Sequence, residues 1–126
     1  FILLNLCKKN LNKDGMLLIC SLNTKKNQIP SFKLMQKKLD QSHKKDEEII
    51  FLIKKNLRKY KNFKFRFKVV IQRKYFIKMI NNRFISCLIT LSKKEISNGI
   101  KEIEQKFKSL IKFDDVLQCI IYKKIG

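Results

Sequence analysis

At 126 residues the chain fits one small domain or part of a larger one, and a complete globule of this size buries roughly two-thirds of its unfolded surface. Its net charge of +20 invites a polyanion reading, but lysine supplies 26 of the 30 cations, and residues with AT-rich codons (Lys, Ile, Asn, Phe, Tyr, Met) fill more than half the chain, so the lysines are expected on every solvated face. Cys7, Cys20, Cys87 and Cys119 form no CxxC pair, His43 is the only histidine, and the longest apolar runs, such as Met16 to Cys20, are far short of about 20 residues, which argues against a zinc ribbon, a histidine-based triad and a membrane span.

The chain opens on Phe1 within a helical pattern and without an initiator Met, so it is expected to be a piece of a longer protein. Leu3, Leu4, Cys7 and Leu11 lie at helical spacing, and Asn12-Lys13-Asp14-Gly15 stops that helix, with Gly15 free to take a positive φ. Met16-Leu17-Leu18-Ile19-Cys20 is apolar on both faces, as a central strand of a parallel sheet must be. Ser21 to Ser31 reads as a loop leaving that strand. Two amphipathic helices follow, one over about 31–41 and one opening near Asp46 as N-cap and carrying Ile49, Ile50, Ile53, Leu57 and Tyr60. Phe63, Phe65, Phe67, Val69 and Ile71 alternate with Lys64, Arg66, Lys68 and Gln72, the pattern of a half-buried strand. A helix over about 74–88 comes next. Ser92-Lys93-Lys94-Glu95 is a capping box, and the helix it opens buries Ile96, Ile100, Ile103 and Phe107. Asp114-Asp115 marks a turn before a strand over Val116 to Lys123. The fold class is α/β, with about three strands separated by helical inserts, and a strand apolar on both faces needs neighbours beyond these. The cysteines suit small buried hydrophobes of a reducing, cytoplasmic compartment, and His43 a surface position.

Two segments resemble a known family. Leu11-Asn12-Lys13-Asp14-Gly15-Met16-Leu17-Leu18-Ile19 resembles the turn into the fifth strand of class I S-adenosylmethionine-dependent methyltransferases. Tyr75-Phe76-Ile77-Lys78-Met79-Ile80-Asn81-Asn82-Arg83-Phe84-Ile85-Ser86-Cys87-Leu88, with Ser92-Lys93-Lys94-Glu95-Ile96 and Gly99-Ile100, resembles a late stretch of many small-molecule methyltransferases of that superfamily. The resemblance implies that residues 1–126 are the C-terminal half of one doubly wound, Rossmann-like, seven-stranded domain. They supply its fifth, sixth and seventh strands, the seventh inserted antiparallel. It further implies that S-adenosylmethionine is bound mainly by an N-terminal half that is missing here. The glycine-rich loop and acidic residue that hold this cofactor have no counterpart among Gly15, Gly99 and Gly126, so no cofactor-binding residue and no metal ligand is expected in this chain.

Within the helix expected over 74–88, Phe76, Ile77, Ile80, Phe84, Cys87 and Leu88 form the core side. Tyr75, Met79, Asn82 and Ser86 make a second stripe, with Arg83 at its border. Methyl transfer asks for aromatic and apolar walls with few polar anchors, so these five are the candidate substrate-binding residues, Arg83 suiting an anionic group of a small-molecule acceptor. Ordinary helix packing accounts for the same residues, and Arg83 equally suits pinning the helix to a backbone carbonyl or an acidic side chain. Two other functions stay open: a basic module binding nucleic acid or another polyanion, which the absence of an arginine cluster disfavours, and an inactive truncated remnant.

Overall fold

The computed structural model describes residues 1–22 and 28–125. In chain order the elements are α1 (Ile2–Asn10), β1 (Met16–Leu22), α2 (Lys33–Leu57), β2 (Lys61–Gln72), α3 (Arg73–Asn81), a 3₁₀ turn (Ser86–Leu88), α4 (Lys93–Lys106) and β3 (Leu110–Lys123). The protein is α/β: one three-stranded sheet, ordered β1-β3-β2, with four helices. β3 is antiparallel to both neighbours, so β1 and β2 run parallel to each other on either side of it. Of the loop expected over Ser21 to Ser31, Ser21 and Leu22 belong to β1, and residues 23–27 lie outside the described residues.

Register assigns the side chains to the two faces of the sheet. Met16, Leu18, Cys20 and Leu22 share a face with Ile121, Cys119, Leu117, Phe113 and Ile111 and with Phe63, Phe65, Phe67, Val69 and Ile71. The helices cover this first face only at the Ile71–Ile111 end. There Ile111 joins Phe32, Met35, Leu39, Phe76, Ile80, Leu88, Leu91, Ile96 and Ile103 in the main core, and Phe113 meets the edge of Phe76 at 6.5 Å. At the opposite end the helices lie on the second face, that of Leu17, Ile19, Val116, Ile120 and Tyr122. Lys8 of α1 donates to the Asn56 carbonyl at 3.3 Å and stands 5.5 Å from the Tyr122 ring centre, while Leu57, Val116 and Ile120 are buried. The sheet is thus covered diagonally.

Several elements depart from the sequence expectation. α2 is one helix of 25 residues, with Asp46 inside it rather than at an N-cap. No glycine or proline interrupts residues 33–57, and the i,i+4 pairs Gln36–Asp40 (2.9 Å) and His43–Glu47 (3.1 Å) bridge the polar stretch. β1 is an edge strand, not a central one: Met16 and Leu18 are 67% and 57% exposed, because the longer β3 takes the central place. β2 alternates as expected, yet Phe63, Phe65 and Phe67 stay exposed, since no described helix reaches that end of the first face. Asp114 and Asp115 lie within β3 instead of in a turn. They pair in register with Lys68 and Phe67, and Arg66 meets Asp114 at 3.4 Å. In the turn after α1 the positive φ (61°) belongs to Asp14, while Gly15 is required by close approach: a Cβ there would stand 2.9 Å from the Asn12 carbonyl oxygen. Cys20 is exposed, and the His43 side chain is only 17% exposed rather than on the open surface.

The capping box forms as the sequence requires. Ser92 Oγ accepts from the Glu95 amide at 3.1 Å, and the Glu95 carboxylate accepts from the Ser92 amide at 2.7 Å. Ile96 and Ile103 are buried, with Ile100 and Phe107 half-buried beside them. α2 has no side-chain cap of its own at Phe32; its Lys33 amide donates instead to the Glu102 carboxylate of α4 at 2.9 Å. That bond docks the two helices.

Candidate functional site

The helix expected over 74–88 ends at Asn81, and its C-terminus explains where the five candidate residues stand. The Phe84 amide donates to the Met79 carbonyl at 3.2 Å and the Arg83 amide to the Ile80 carbonyl at 2.9 Å. These are the two bonds of a Schellman motif, with Asn82 as C-cap and Arg83 in the left-handed position at φ 53°. Phe84 returns to the core edge, its ring 5.8 Å from that of Phe76. The core side assigned from periodicity is otherwise kept: Phe76, Ile80, Cys87 and Leu88 are buried and Ile77 is half-buried.

Tyr75 and Met79 sit one turn apart on the outer face of α3, 53% and 36% exposed, and Lys74 Nζ lies 5.0 Å from the Tyr75 ring centre. Asn82 and Ser86 are exposed, Ser86 opening the 3₁₀ turn with its carbonyl accepting from the Ile89 amide at 3.1 Å. Arg83 is half-buried. Its Nη1 donates to the Leu88 carbonyl and, at 3.5 Å, to that of Ile89, so the guanidinium ties the helix end to the turn that follows. The five residues therefore follow one another along an outer rim of the chain: Tyr75 and Met79 on the helix, Asn82 and Arg83 at its end, Ser86 on the 3₁₀ turn.

A groove of about 1080 Å³ lies between α2 and α4, lined by Lys37, Asp40 and Lys44 on one side and Glu102, Gln105 and Lys106 on the other. None of the five rim residues borders it. Periodicity alone could not announce this groove, because both of its walls are the solvated sides of amphipathic helices. The one local clue is Gly99, over which the Phe32 ring lies at the groove floor.

Neither glycine among the described residues stands in an open loop. The Gly15 amide is held by the Asn12 carbonyl at 2.9 Å, Gly99 is covered by Phe32, and Gly126 lies outside the described residues. Among the described residues no group of three or more His, Cys, Asp or Glu side chains converges to hold a metal ion, and no helix is long and apolar enough to cross a membrane. On β2 the exposed phenylalanines occupy one face, and Lys64, Arg66 and Lys68 the other. Burial pushes the Cys87 and Cys119 thiols above their ordinary range, for Cys119 with the neighbouring Cys20 thiol adding to the effect. Comparison of the chain with protein-family models, with curated proteins and with solved structures finds no match.

Proposed function

We propose that this chain is the C-terminal part of a class I, Rossmann-like S-adenosylmethionine-dependent methyltransferase that acts on a small-molecule acceptor. The observation that carries this reading is the sheet. Two mutually parallel strands, β1 and β2, flank a last strand that runs antiparallel between them, which is the arrangement expected of the fifth, sixth and seventh strands of that fold. The apolar face formed by Leu18, Phe63, Phe65 and Phe67 is also what a larger doubly wound sheet would cover with further helices. S-adenosylmethionine would then be held by residues outside this chain, since neither described glycine fronts an open loop. What this chain contributes is an acceptor-side rim of Tyr75, Met79, Asn82, Arg83 and Ser86.

The Arg83 guanidinium holds the turn through Nη1. Among the described residues no partner engages its Nε or Nη2, which leaves a donor edge for an anionic group of the acceptor. The phenol of Tyr75 and the thioether of Met79 supply the apolar wall beside it.

The test is calorimetric titration of S-adenosylmethionine into the product of the whole reading frame that encodes this chain, and separately into residues 1–126. Binding by the former alone is expected. No binding by the whole product, at cofactor concentrations up to the millimolar range, overturns the reading.

A further inference from the structure

We propose that Cys20 and Cys119 are a cross-strand dithiol that a peroxide converts to a disulfide. The two residues are direct register partners on β1 and β3, and their sulfurs already stand 3.3 Å apart. Directly opposed residues of an antiparallel pair have Cα atoms about 4.5 or 5.5 Å apart, and a disulfide accepts Cα separations of about 4.4–6.8 Å. The sulfurs need to close only by about 1.3 Å to reach the bonded length of about 2.0 Å, a movement that χ1 rotation supplies without shifting the strands. Both thiols are free.

Accessibility gives the pair an order of reaction. Cys20 is exposed on an edge strand, whereas Cys119 is 3% exposed in the central strand, flanked in register by Cys20 on one side and Phe63 on the other. Cys20 meets the oxidant first. The Cys20 thiol gives its proton to solvent, the thiolate sulfur attacks one oxygen of hydrogen peroxide, the O–O bond breaks, and the leaving hydroxide takes up a proton, so the products are a Cys20 sulfenic acid and water. The Cys119 sulfur then attacks the Cys20 sulfur, the S–O bond breaks, and the second oxygen leaves as water with the thiol proton. Two thiols and one peroxide give one disulfide and two waters, with two electrons passed from sulfur to oxygen. Burial raises the Cys119 thiol above its ordinary range, so Cys119 is the sulfur that resolves rather than the one that meets peroxide. The bond would fasten the edge strand covalently to the centre of the sheet, and a thiol reductant reverses it. This proposal is independent of the chemistry the protein performs.

Cys7 on α1 and Cys87 in the 3₁₀ turn are internal controls. The reduced protein is treated with hydrogen peroxide at low protein concentration, remaining thiols are alkylated, and the digest is read by mass spectrometry with and without dithiothreitol. The expected result is a fall from four free thiols to two, with one reducible peptide pair joining residue 20 to residue 119. Cys20→Ser and Cys119→Ala should each abolish that pair, and Cys119→Ala should leave a sulfenic acid at residue 20 that dimedone traps. Four thiols persisting after peroxide, a link through Cys7 or Cys87, or a disulfide joining two molecules through Cys20 would each overturn the proposal. The wild-type measurement decides it even where a variant fails to fold.

Discussion

The ring of Phe32 lies so close over Gly99 that a Cβ at residue 99 would stand 2.6 Å from three of its carbons. Phe32 is 2% exposed and is the N-cap residue of α2, while Gly99 sits in the middle of α4, so this contact sets how closely the two helices approach. Glycine inside a helix costs about 1 kcal/mol relative to alanine, and an exposed Gly→Ala change there would stabilise the protein. Here the sign reverses. A Cβ at 2.6 Å overlaps the ring, and overpacking of this kind costs about 1–3 kcal/mol. Gly99→Ala is expected to lower stability by about 1–2 kcal/mol in urea unfolding. Phe32→Leu should soften the effect, so that the double-mutant cycle is non-additive.

Arg83 combines a left-handed backbone with a guanidinium bound to two carbonyls. Arg83→Ala removes those bonds and keeps the Cβ, for an expected loss of about 1.5–3 kcal/mol. Arg83→Gly loses the same bonds but relieves the left-handed conformation, and should be the more stable of the two by about 1 kcal/mol. Thermal unfolding of both variants checks the order. In the product of the whole reading frame, assayed for the proposed methyl transfer, Arg83→Lys that leaves the Michaelis constant and turnover unchanged would remove Arg83 from the proposed acceptor site.

The first turn of α2 depends on a side chain 69 residues away, the Glu102 carboxylate accepting from the Lys33 amide. Glu102→Ala should cost about 1 kcal/mol, as loss of an N-cap does. Glu102→Gln keeps an acceptor but not the charge that favours a helix N-terminus, and should cost less. Urea midpoints of the two variants should keep that order.

Cys87 and Cys119 give the fold an alkaline sensitivity. Burial raises both thiols above their unfolded value of 9.0, so between the unfolded and folded values the unfolded chain binds fewer protons than the native one. The contribution is intact below about pH 9 and is lost as pH rises through the folded values. Stability measured at pH 8 and pH 10 should fall more for the wild type than for Cys87→Ala.

Cations are spread over the surface, and on β2 they stand on the face opposite the exposed phenylalanines. Binding to a single-stranded homopolymer is therefore expected only at low salt. It should fall with a log–log slope of about −0.7 per phosphate contact and be absent at moderate salt. Affinity that persists there would favour a polyanion-binding function over the proposed methyl transfer.

Local rules made much of the fold legible. The Ser92–Glu95 capping box and the isoleucine spacing behind it need only neighbours in sequence, as do the alternation along β2 and the stop after α1, and all four elements form. The same rules were silent on coverage. Alternation places Phe63, Phe65 and Phe67 on one face, but whether a helix lies over that face depends on residues far away in the chain. Helical periodicity likewise runs through Arg83 without a break, because the end of α3 is fixed by a left-handed residue whose guanidinium finds carbonyls beyond the helix.

What the sequence determined by itself is the α/β class, the three strands and the core side of α3 and α4, because these follow from side-chain period and local hydrogen bonding; the stripes expected on α1 and on the second half of α2 leave Leu3, Ile49 and Tyr60 exposed. Only the tertiary structure decided the order β1-β3-β2, the Phe32–Gly99 contact, the docking of α2 on Glu102 and the meeting of Cys20 with Cys119. Each of these joins residues tens of positions apart, and their proximity is set by how the sheet pairs and the helices pack.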